Sequence, residues 1–226
     1  MSKIAIFYHI GQVGEIWQLI VQEQLHALAL SGLLKACDKF IVGVNGNQEL
    51  PFLPEKAEVT RHPENEWKEE TATIKMLRDF CRENDNYKVF YFHSKGATNP
   101  SASVQSWRLV LEYYCVHNWK TCVNDLENYD CVGCFWADEK INDIMAIRGF
   151  AKAPPHFSSN FWWSKSNYIN KLKDDLLNTV NRYDREFWIG SENPSTVSYG
   201  KNILPIRGDY FYFNYFLPSD KYVDLN

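Results

Sequence analysis

A polar cluster at residues 93–96 carries the side chains that a phosphate-binding site needs. His93, Ser94, Lys95 and Gly96 directly follow the apolar run VFYF at residues 89–92. Arg108 comes shortly afterwards, within SWR at residues 106–108. Lysine and arginine are the side chains that neutralise phosphate oxygens in proteins. The two cations therefore predict a ligand that bears phosphate.

A second cluster, in the C-terminal third of the chain, is aromatic and polar. Flat apolar faces suit the C–H faces of a sugar ring, and three tryptophans offer them: Trp162, Trp163 and Trp188. Sugar hydroxyls would be bound by the polar side chains nearby: Asn160, Asp184 and Glu186. Adjacent residues of a strand face opposite ways, so at least one of the two adjacent tryptophans is expected in the core. Phosphate contacts in one cluster and sugar contacts in the other predict a nucleotide-sugar transferase.

The elements that must position these side chains alternate between strand and helix. Apolar runs predict strands in KIAIFYHI, KFIVGVN, AEVTRH, YKVFYF, DCVGCFW and, late in the chain, GDYFYFNYF. Helical spacing of apolar residues predicts helices over residues 15–32 and 64–84, over 103–122 with Ser103 as the N-cap, and over 164–177. This alternation predicts an α/β fold with a mostly parallel, Rossmann-type sheet flanked by helices.

Ligands of open α/β sheets bind beyond the carboxyl ends of the parallel strands. The candidate donor-binding residues are those that end the predicted strands, together with one arginine: His9, Gly11, Asn45, His93, Ser94, Lys95, Gly96 and Arg108. The chain lacks G-x-G-x-x-G, the P-loop motif and G-x-S-x-G. These absences argue against classical dehydrogenases, P-loop NTPases and α/β-hydrolases.

Composition limits the partners and the compartment. The formal net charge is -4 and like charges form no block, which argues against nucleic-acid binding. The N-terminal residues lack a signal-peptide pattern and no apolar run is long enough for a transmembrane segment, so a cytoplasmic protein is expected. The cysteines, including Cys131 and Cys134 of the single C-x-x-C, are then expected to be reduced core residues.

Four motifs together carry a family resemblance. The HSKG strand end, SWR, NFWW at residues 160–163 and REFWIGS at residues 185–191 resemble GT-A-type glycosyltransferases. Within these the chain is similar to the rhamnan-synthesis-protein-F-like group and to the N-terminal glycosyltransferase domain of a chlorella-virus multidomain protein. The resemblance spans almost the whole chain. It implies one domain, with a donor-nucleotide half over residues 1–140 and an acceptor half over residues 141–226.

The resemblance also implies the substrates and a metal. The donor would be a UDP-sugar or dTDP-sugar, the sugar rhamnose or another hexose, and the acceptor a hydroxyl of a glycan. GT-A enzymes usually hold Mn²⁺ or Mg²⁺ with an Asp-x-Asp pair, but this chain has His93-Ser94-Lys95 at the expected place. Two interpretations stay open. Either Lys95 replaces the metal, which we favour, or a metal binds through His93 and Asp138.

An inverting transferase needs a carboxylate that deprotonates the acceptor hydroxyl. Glu186 is our first candidate because the aromatic residues beside it would bury it partly, and Asp184 and Asp138 follow. A retaining mechanism also stays open. So do two other functions: a non-catalytic carbohydrate-binding module derived from a glycosyltransferase, and a nucleotidyl- or methyltransferase.

Overall fold

The apolar runs of the sequence form nine β-strands in the computed structural model, which describes residues 3–64, 70–139, 153–181 and 183–200. The strands are β1 (Lys3–Gly11), β2 (Lys39–Asn45), β3 (Ala57–Arg61), β4 (Tyr87–His93), β5 (Cys131–Cys134), β6 (Trp136–Ala137), β7 (His156–Phe157), β8 (Trp162–Lys165) and β9 (Thr196–Tyr199). The predicted strand at residues 208–216 lies outside the described residues.

Seven of these strands form one sheet in the order β3-β2-β1-β4-β8-β5-β9. All neighbouring pairs are parallel except those of β8, which runs antiparallel to both β4 and β5. β6 and β7 form a separate antiparallel pair. The predicted α/β class and mostly parallel sheet are confirmed, and the architecture is compatible with a Rossmann-like fold. Because β8 lies between β4 and β5, both predicted halves of the chain contribute strands to the same sheet.

Helices connect the strands and cover the sheet. They are α1 (Trp17–Leu30), α2 (Leu33–Ala36), α3 (Thr71–Glu83), α4 (Ala102–Glu112), α5 (Trp119–Asp125), α6 (Ser166–Ile169) and α7 (Asp184–Trp188), with a π-helix at Tyr113–His117 and a 3₁₀ turn at Asp175–Leu177. None of the helices within the described ranges is long and apolar enough to cross a membrane.

The sheet is buried on both faces, as expected for parallel strands between helices. One core contains α1, α4 and α5 side chains together with Tyr8 and Phe92, and the other contains α3, α6 and α7 side chains together with Phe7 and Tyr91. All six cysteines are buried and free. The two of the C-x-x-C motif belong to opposite cores, as the strand period requires.

Three predicted helices differ from the structure. Residues 65–69 lie outside the described residues, and α3 begins at Thr71 rather than at residue 64. Ser101, not Ser103, caps α4, since its hydroxyl accepts a hydrogen bond from the Val104 N–H at 3.4 Å. The helix predicted over residues 103–122 is interrupted by the π-helix, whose Cys115 carbonyl accepts a bond from Trp163 at 2.9 Å. A widened turn frees carbonyls for such side-chain donors. The predicted helix over 164–177 is only α6 and the 3₁₀ turn.

Candidate functional site

The strand order reverses between β1 and β4, which marks the place where an open α/β sheet is expected to bind a ligand. From β1 the chain moves outward through β2 and β3, and then returns to place β4 on the other side of β1. In open α/β sheets such a reversal of strand order opens a crevice at the carboxyl ends of the two strands. His9 and His93 are register partners at this point, so both strands end side by side.

The loops after β1 and β4 are fastened to each other. The Gly11 N–H donates to the Ser94 hydroxyl at 3.1 Å, and the Ser94 N–H donates to the His9 carbonyl at 3.0 Å. Gly14 has a φ of +72°, and a Cβ at this position would lie 2.0 Å from the Ala97 carbonyl oxygen. Glycine therefore permits a close approach of the two loops. The predicted donor residues of β1 and β4 are brought together by these contacts.

The loop after β2 is also held at the carboxyl edge of the sheet. The side chains that hold it are not among the predicted donor-binding residues. The Gln12 N–H donates to the Asn45 carbonyl at 2.9 Å, and the Gln12 side chain exchanges two hydrogen bonds with the Gln48 backbone, at 2.7 and 2.8 Å. Arg61 donates to the carbonyls of Gly46 and Gln48 at 2.6 and 2.9 Å. Asn45 itself is buried at the end of β2. Side-chain clamps of this kind follow no local pattern, so no signal in the sequence identifies them.

Lys95 is a half-buried cation at the carboxyl end of β4. Its Nζ lies 3.9 Å from the centroid of the Trp107 ring, a cation–π contact. Among the described residues, the Lys95 ammonium forms no ion pair within 4.0 Å. Burial lowers the pKa of Lys95 to about 8, while Glu186 and Glu70 act in the opposite direction. The ammonium group thus keeps hydrogen-bond donors available for an anion.

His93 is held as a neutral imidazole beside Lys95. Its Nε2 donates to the Ser159 carbonyl at 3.0 Å, which leaves Nδ1 as the acceptor nitrogen of the ring. Burial and the Lys95 charge lower the pKa of His93 to about 4. The neighbouring cation therefore disfavours a second positive charge at this strand end.

His9 belongs to a buried hydrogen-bond chain under the crevice. Its Nδ1 lies 2.8 Å from the Thr73 hydroxyl, which lies 3.2 Å from His62 Nε2. A Cβ at Gly43 would come within 2.0 Å of that hydroxyl oxygen, so glycine is what leaves room for the chain. Burial, with smaller contributions from His93 and His62, lowers the pKa of His9 to about 3. His9 is only 5% exposed and lies near the carboxyl end of β1.

Two carboxylates act on the Lys95 ammonium. Glu186, in α7, is half-buried and its Oε2 lies 3.4 Å from the Ser159 N–H; its charge raises the pKa of both Lys95 and His93. Glu70, just before α3, accepts a bond from the Tyr91 hydroxyl at 2.6 Å. Glu70 is absent from the predicted site because the helical pattern continues back to residue 64. A helix that leads into a parallel strand begins at the carboxyl edge of the sheet, but apolar spacing does not fix the residue at which it begins, so the sequence does not single out Glu70.

The other two candidate bases are placed differently. Asp184 accepts a hydrogen bond from the Asn181 side chain at 2.7 Å, which is a contact within the start of α7. Asp138 is exposed and follows β6. Of the three predicted carboxylates, Glu186 is the one whose charge acts on both His93 and Lys95.

Arg108 requires a correction to the prediction that it binds donor phosphate. Its side chain is 3% exposed and forms ion pairs with Glu112 at 3.0 Å and with Glu23 at 2.5 Å. These two carboxylates neutralise the guanidinium between α4 and α1. Arg108 is therefore a structural cation of the core, and the phosphate prediction loses one of its two cations.

The predicted acceptor residues also require a correction. Trp162, Trp163 and Trp188 are completely buried, and each indole N–H donates to a protein acceptor, at distances of 2.6, 2.9 and 2.8 Å. Asn160 is 1% exposed, and its side-chain oxygen is the acceptor for Trp162. The strand period predicts at least one of the adjacent tryptophans in the core. Both are there, because helices cover both faces of the sheet.

A divalent cation does not fit the side chains described at this site. Within residues 3–64, 70–139, 153–181 and 183–200, no three His, Cys, Asp or Glu side chains are arranged to hold a metal ion. His93 has already committed Nε2 to a carbonyl, and a lysine charge acts on it. Mn²⁺ and Mg²⁺ prefer several oxygen ligands, which the His93 and Asp138 hypothesis would not supply.

Comparison with known proteins gives a family but no function. Residues 7–179 match a family model described as Domain of unknown function (DUF8361). The matched range includes His93 and Lys95, whereas Glu186 lies beyond it. A search of curated proteins found no match. Because the family model matches more than half of the chain, this protein belongs to the DUF8361 family.

Proposed function

We propose that this chain is a GT-A-type glycosyltransferase that moves a hexose, such as rhamnose, from a UDP-sugar or dTDP-sugar to a hydroxyl of a glycan. One observation carries the proposal. Lys95 presents a half-buried ammonium, without an ion pair among the described residues, at the crevice between β1 and β4. A cation held ready at the carboxyl edge of a parallel sheet suits the diphosphate of a nucleotide donor.

Lys95 would stabilise the leaving group. In the transfer step the acceptor oxygen forms a bond to the anomeric carbon while the bond from that carbon to the β-phosphate oxygen breaks. The nucleoside diphosphate leaves with the bonding electron pair, so negative charge grows on the phosphate oxygens. An ammonium that is held in place before reaction stabilises this charge without reorganisation. Lys95 would do this without a metal, and no step in this mechanism passes through a metal.

Glu186 would be the general base. The proton of the acceptor hydroxyl passes to its carboxylate as the new glycosidic bond forms, which inverts the anomeric centre. Its position supports this role, since the carboxylate is half-buried and its charge acts on Lys95 and His93 at the same crevice. The donor phosphate and the acceptor hydroxyl would then meet between two groups of opposite charge.

The acceptor must be bound by other aromatic residues than those first predicted. Trp136 and Phe187 are half-buried near the carboxyl edge, and Phe187 packs against His156 with ring centroids 4.8 Å apart. They offer the partly open faces that a sugar ring needs. The burial of Trp162, Trp163 and Trp188 also removes these three rings as a platform for the carbohydrate-binding-module alternative.

The proposal is tested with nucleotide binding and sugar transfer. Calorimetry with UDP and dTDP should show binding by the purified protein, and Lys95→Met should weaken it by about 10- to 100-fold, the loss expected for a charged hydrogen bond. Lys120→Met is the matched control. Lys120 also lies over a tryptophan ring, with its Nζ 5.7 Å from the centroid of Trp119. Trp119 donates a hydrogen bond to the Ser31 carbonyl at the C-terminal end of α1, which is remote from the crevice.

Transfer is measured with a panel of UDP- and dTDP-sugars and mass analysis of the products. Hydrolysis or transfer of one sugar supports the proposal. If no donor is consumed and Lys95→Met leaves nucleotide affinity unchanged, the proposal is wrong. Glycan binding without nucleotide binding would identify a carbohydrate-binding module, and a nucleotidyl- or methyl-modified product would identify another transferase class.

A further inference from the structure

The two carboxylates that act on Lys95 come from segments far apart in the chain. Glu70 precedes α3, and Glu186 lies in α7. The residues next to them are joined directly: Arg185 Nε donates to the Thr71 hydroxyl at 2.6 Å. This buried side-chain contact thus connects the residue after Glu70 with the residue before Glu186.

Arg185 is anchored on the α7 side as well. Its side chain donates to the Thr179 carbonyl at 2.9 Å and to the Asn181 carbonyl, and the residue is 2% exposed. In the described part of the chain it forms no ion pair with a carboxylate. The planar guanidinium can reach three acceptors at once, which a lysine ammonium on a flexible stem does poorly. Arg185 therefore fixes the start of α7 against the start of α3.

We propose that the Arg185–Thr71 contact is a clasp that positions the Glu70 and Glu186 carboxylates near the Lys95 ammonium. Arg185 and Thr71 are positioning residues in this arrangement, since they act through the two glutamates. Each glutamate has a further tether, Glu70 to the Tyr91 hydroxyl and Glu186 to the Ser159 N–H. The clasp sets the distance between the two tethered groups. Its importance for catalysis rests on the proposed function, but its effect on Lys95 does not.

Breaking the clasp has a defined electrostatic consequence. Two negative charges act on Lys95, those of Glu186 in α7 and of Glu70 before α3. The neighbouring His93 of β4 is neutral, and the Trp107 ring of α4 lies 3.9 Å from the Lys95 Nζ. Burial lowers the pKa of Lys95, and the two carboxylates oppose that decrease because they favour the charged amine. When the carboxylates move away, the pKa of Lys95 falls further.

The experiment measures the pKa of Lys95 in the ligand-free protein. Lysine side chains carrying ¹³C at the ε position are titrated by NMR, and the Lys95 signal is assigned with Lys95→Arg. Thr71→Val removes the hydroxyl but keeps the shape, and Arg185→Lys removes the planar fork. Each is expected to lower the pKa of Lys95 by about 0.5 unit or more. Thr71→Ser, which restores the hydroxyl, should restore the wild-type value. Glu70→Gln and Glu186→Gln should each lower the pKa directly.

Asp174→Asn is the matched control. Asp174 accepts bonds from Arg78 and Arg82 of α3, at 2.9 and 3.1 Å, so the variant weakens another contact between α3 and the C-terminal region. It should leave the pKa of Lys95 unchanged. The clasp is refuted if folded Thr71→Val has the wild-type pKa at Lys95, even when stability or activity is lower, or if neither glutamine variant lowers that pKa. If Arg185→Lys does not fold, Thr71→Val decides alone. Titration of the same wild-type sample with UDP tests the proposed function separately, because a failure to bind nucleotide would leave the pKa result intact.

Discussion

Arg108 provides the sharpest distinction between a ligand-binding cation and a structural one. Arg108→Met keeps much of the apolar stem and removes the charge. It leaves the Glu112 carboxylate, whose side chain is 5% exposed, without its partner in the core. Removing one member of a buried ion pair typically costs about 3–5 kcal/mol, mostly because the remaining charge stays desolvated. We therefore expect Arg108→Met to lower the free energy of unfolding by about that amount.

Variants of the two partner carboxylates separate the contributions of the two Arg108 ion pairs to the free energy of unfolding. Glu23 is 41% exposed, so solvent screens its pair with Arg108, and Glu23→Gln should cost at most about 1 kcal/mol. The double variant Arg108→Met/Glu112→Leu removes both buried charges together. An apolar replacement of a buried pair is often neutral or stabilising, so the double variant should recover most of the loss. Burial raises the pKa of Glu112, which shows that its charged form is desolvated. Without Arg108 this buried charge would therefore lower the free energy of unfolding.

Urea denaturation gives these differences from the midpoint, provided that the slope m stays constant across the variants. UDP affinity is measured on the same folded samples. The structural role predicts a large loss of stability with unchanged nucleotide affinity. The reasoning is refuted if Arg108→Met stays within about 1 kcal/mol of wild type and binds UDP about tenfold more weakly, which would return Arg108 to the donor site.

Three further predictions concern the crevice. Glu186→Gln should lower kcat by about 10²- to 10⁴-fold and, at a pH well below the pKa of Lys95, leave UDP affinity nearly unchanged. Asp184→Asn on the same helix should retain activity, and equal losses would contradict the assignment of the base. Burial lowers the pKa of His9 to about 3 in the folded protein, so between about pH 6.5 and pH 3 only the unfolded chain binds this proton. As the pH is lowered through this range, the free energy of unfolding should therefore decrease by about 1.4 kcal/mol per pH unit. His9→Asn should flatten a urea-based stability profile by that slope. Gly43→Ala forces a methyl group to within 2.0 Å of the Thr73 hydroxyl oxygen and should lower the urea midpoint by the equivalent of about 1–3 kcal/mol, and an unchanged midpoint would show that Thr73 can move aside.

Local patterns predicted five of the seven strands of the sheet, β1 to β5, but neither β8 nor β9. Strands β1, β2 and β4 are short apolar runs separated by helical segments, and this alternation implies parallel neighbours. β8 returns from the last third of the chain and enters between β4 and β5 with reversed direction. Its position is supported by stacking of Trp163 on Phe90 and of Trp162 on Tyr91, with ring centroids 4.9 and 5.3 Å apart. A pairing between segments so distant leaves no periodic signal in either of them.

The candidate site was predictable where a rule about strand ends applied. That rule places His93 and Lys95 at the carboxyl edge from the sequence alone, and the aromatic residues around Glu186 mark that carboxylate. The rule could not locate Glu70 or Arg185. Both depend on where a helix begins and which helix it meets, and helix boundaries are the least determined part of a pattern of apolar spacing.

The tryptophans are unsuitable as sugar platforms for a reason that also limits where the proposed acceptor site can lie. Trp162 and Trp163 alternate along β8, and their side chains enter opposite cores, because helices pack on both sides of the sheet. On such a strand, side chains that point to either face of the sheet are buried, in one core or in the other. A residue that contacts a glycan must therefore lie beyond a strand end or on a helix that borders the crevice. Trp136 and Phe187 meet this condition, and Phe187 directly follows the proposed base in α7.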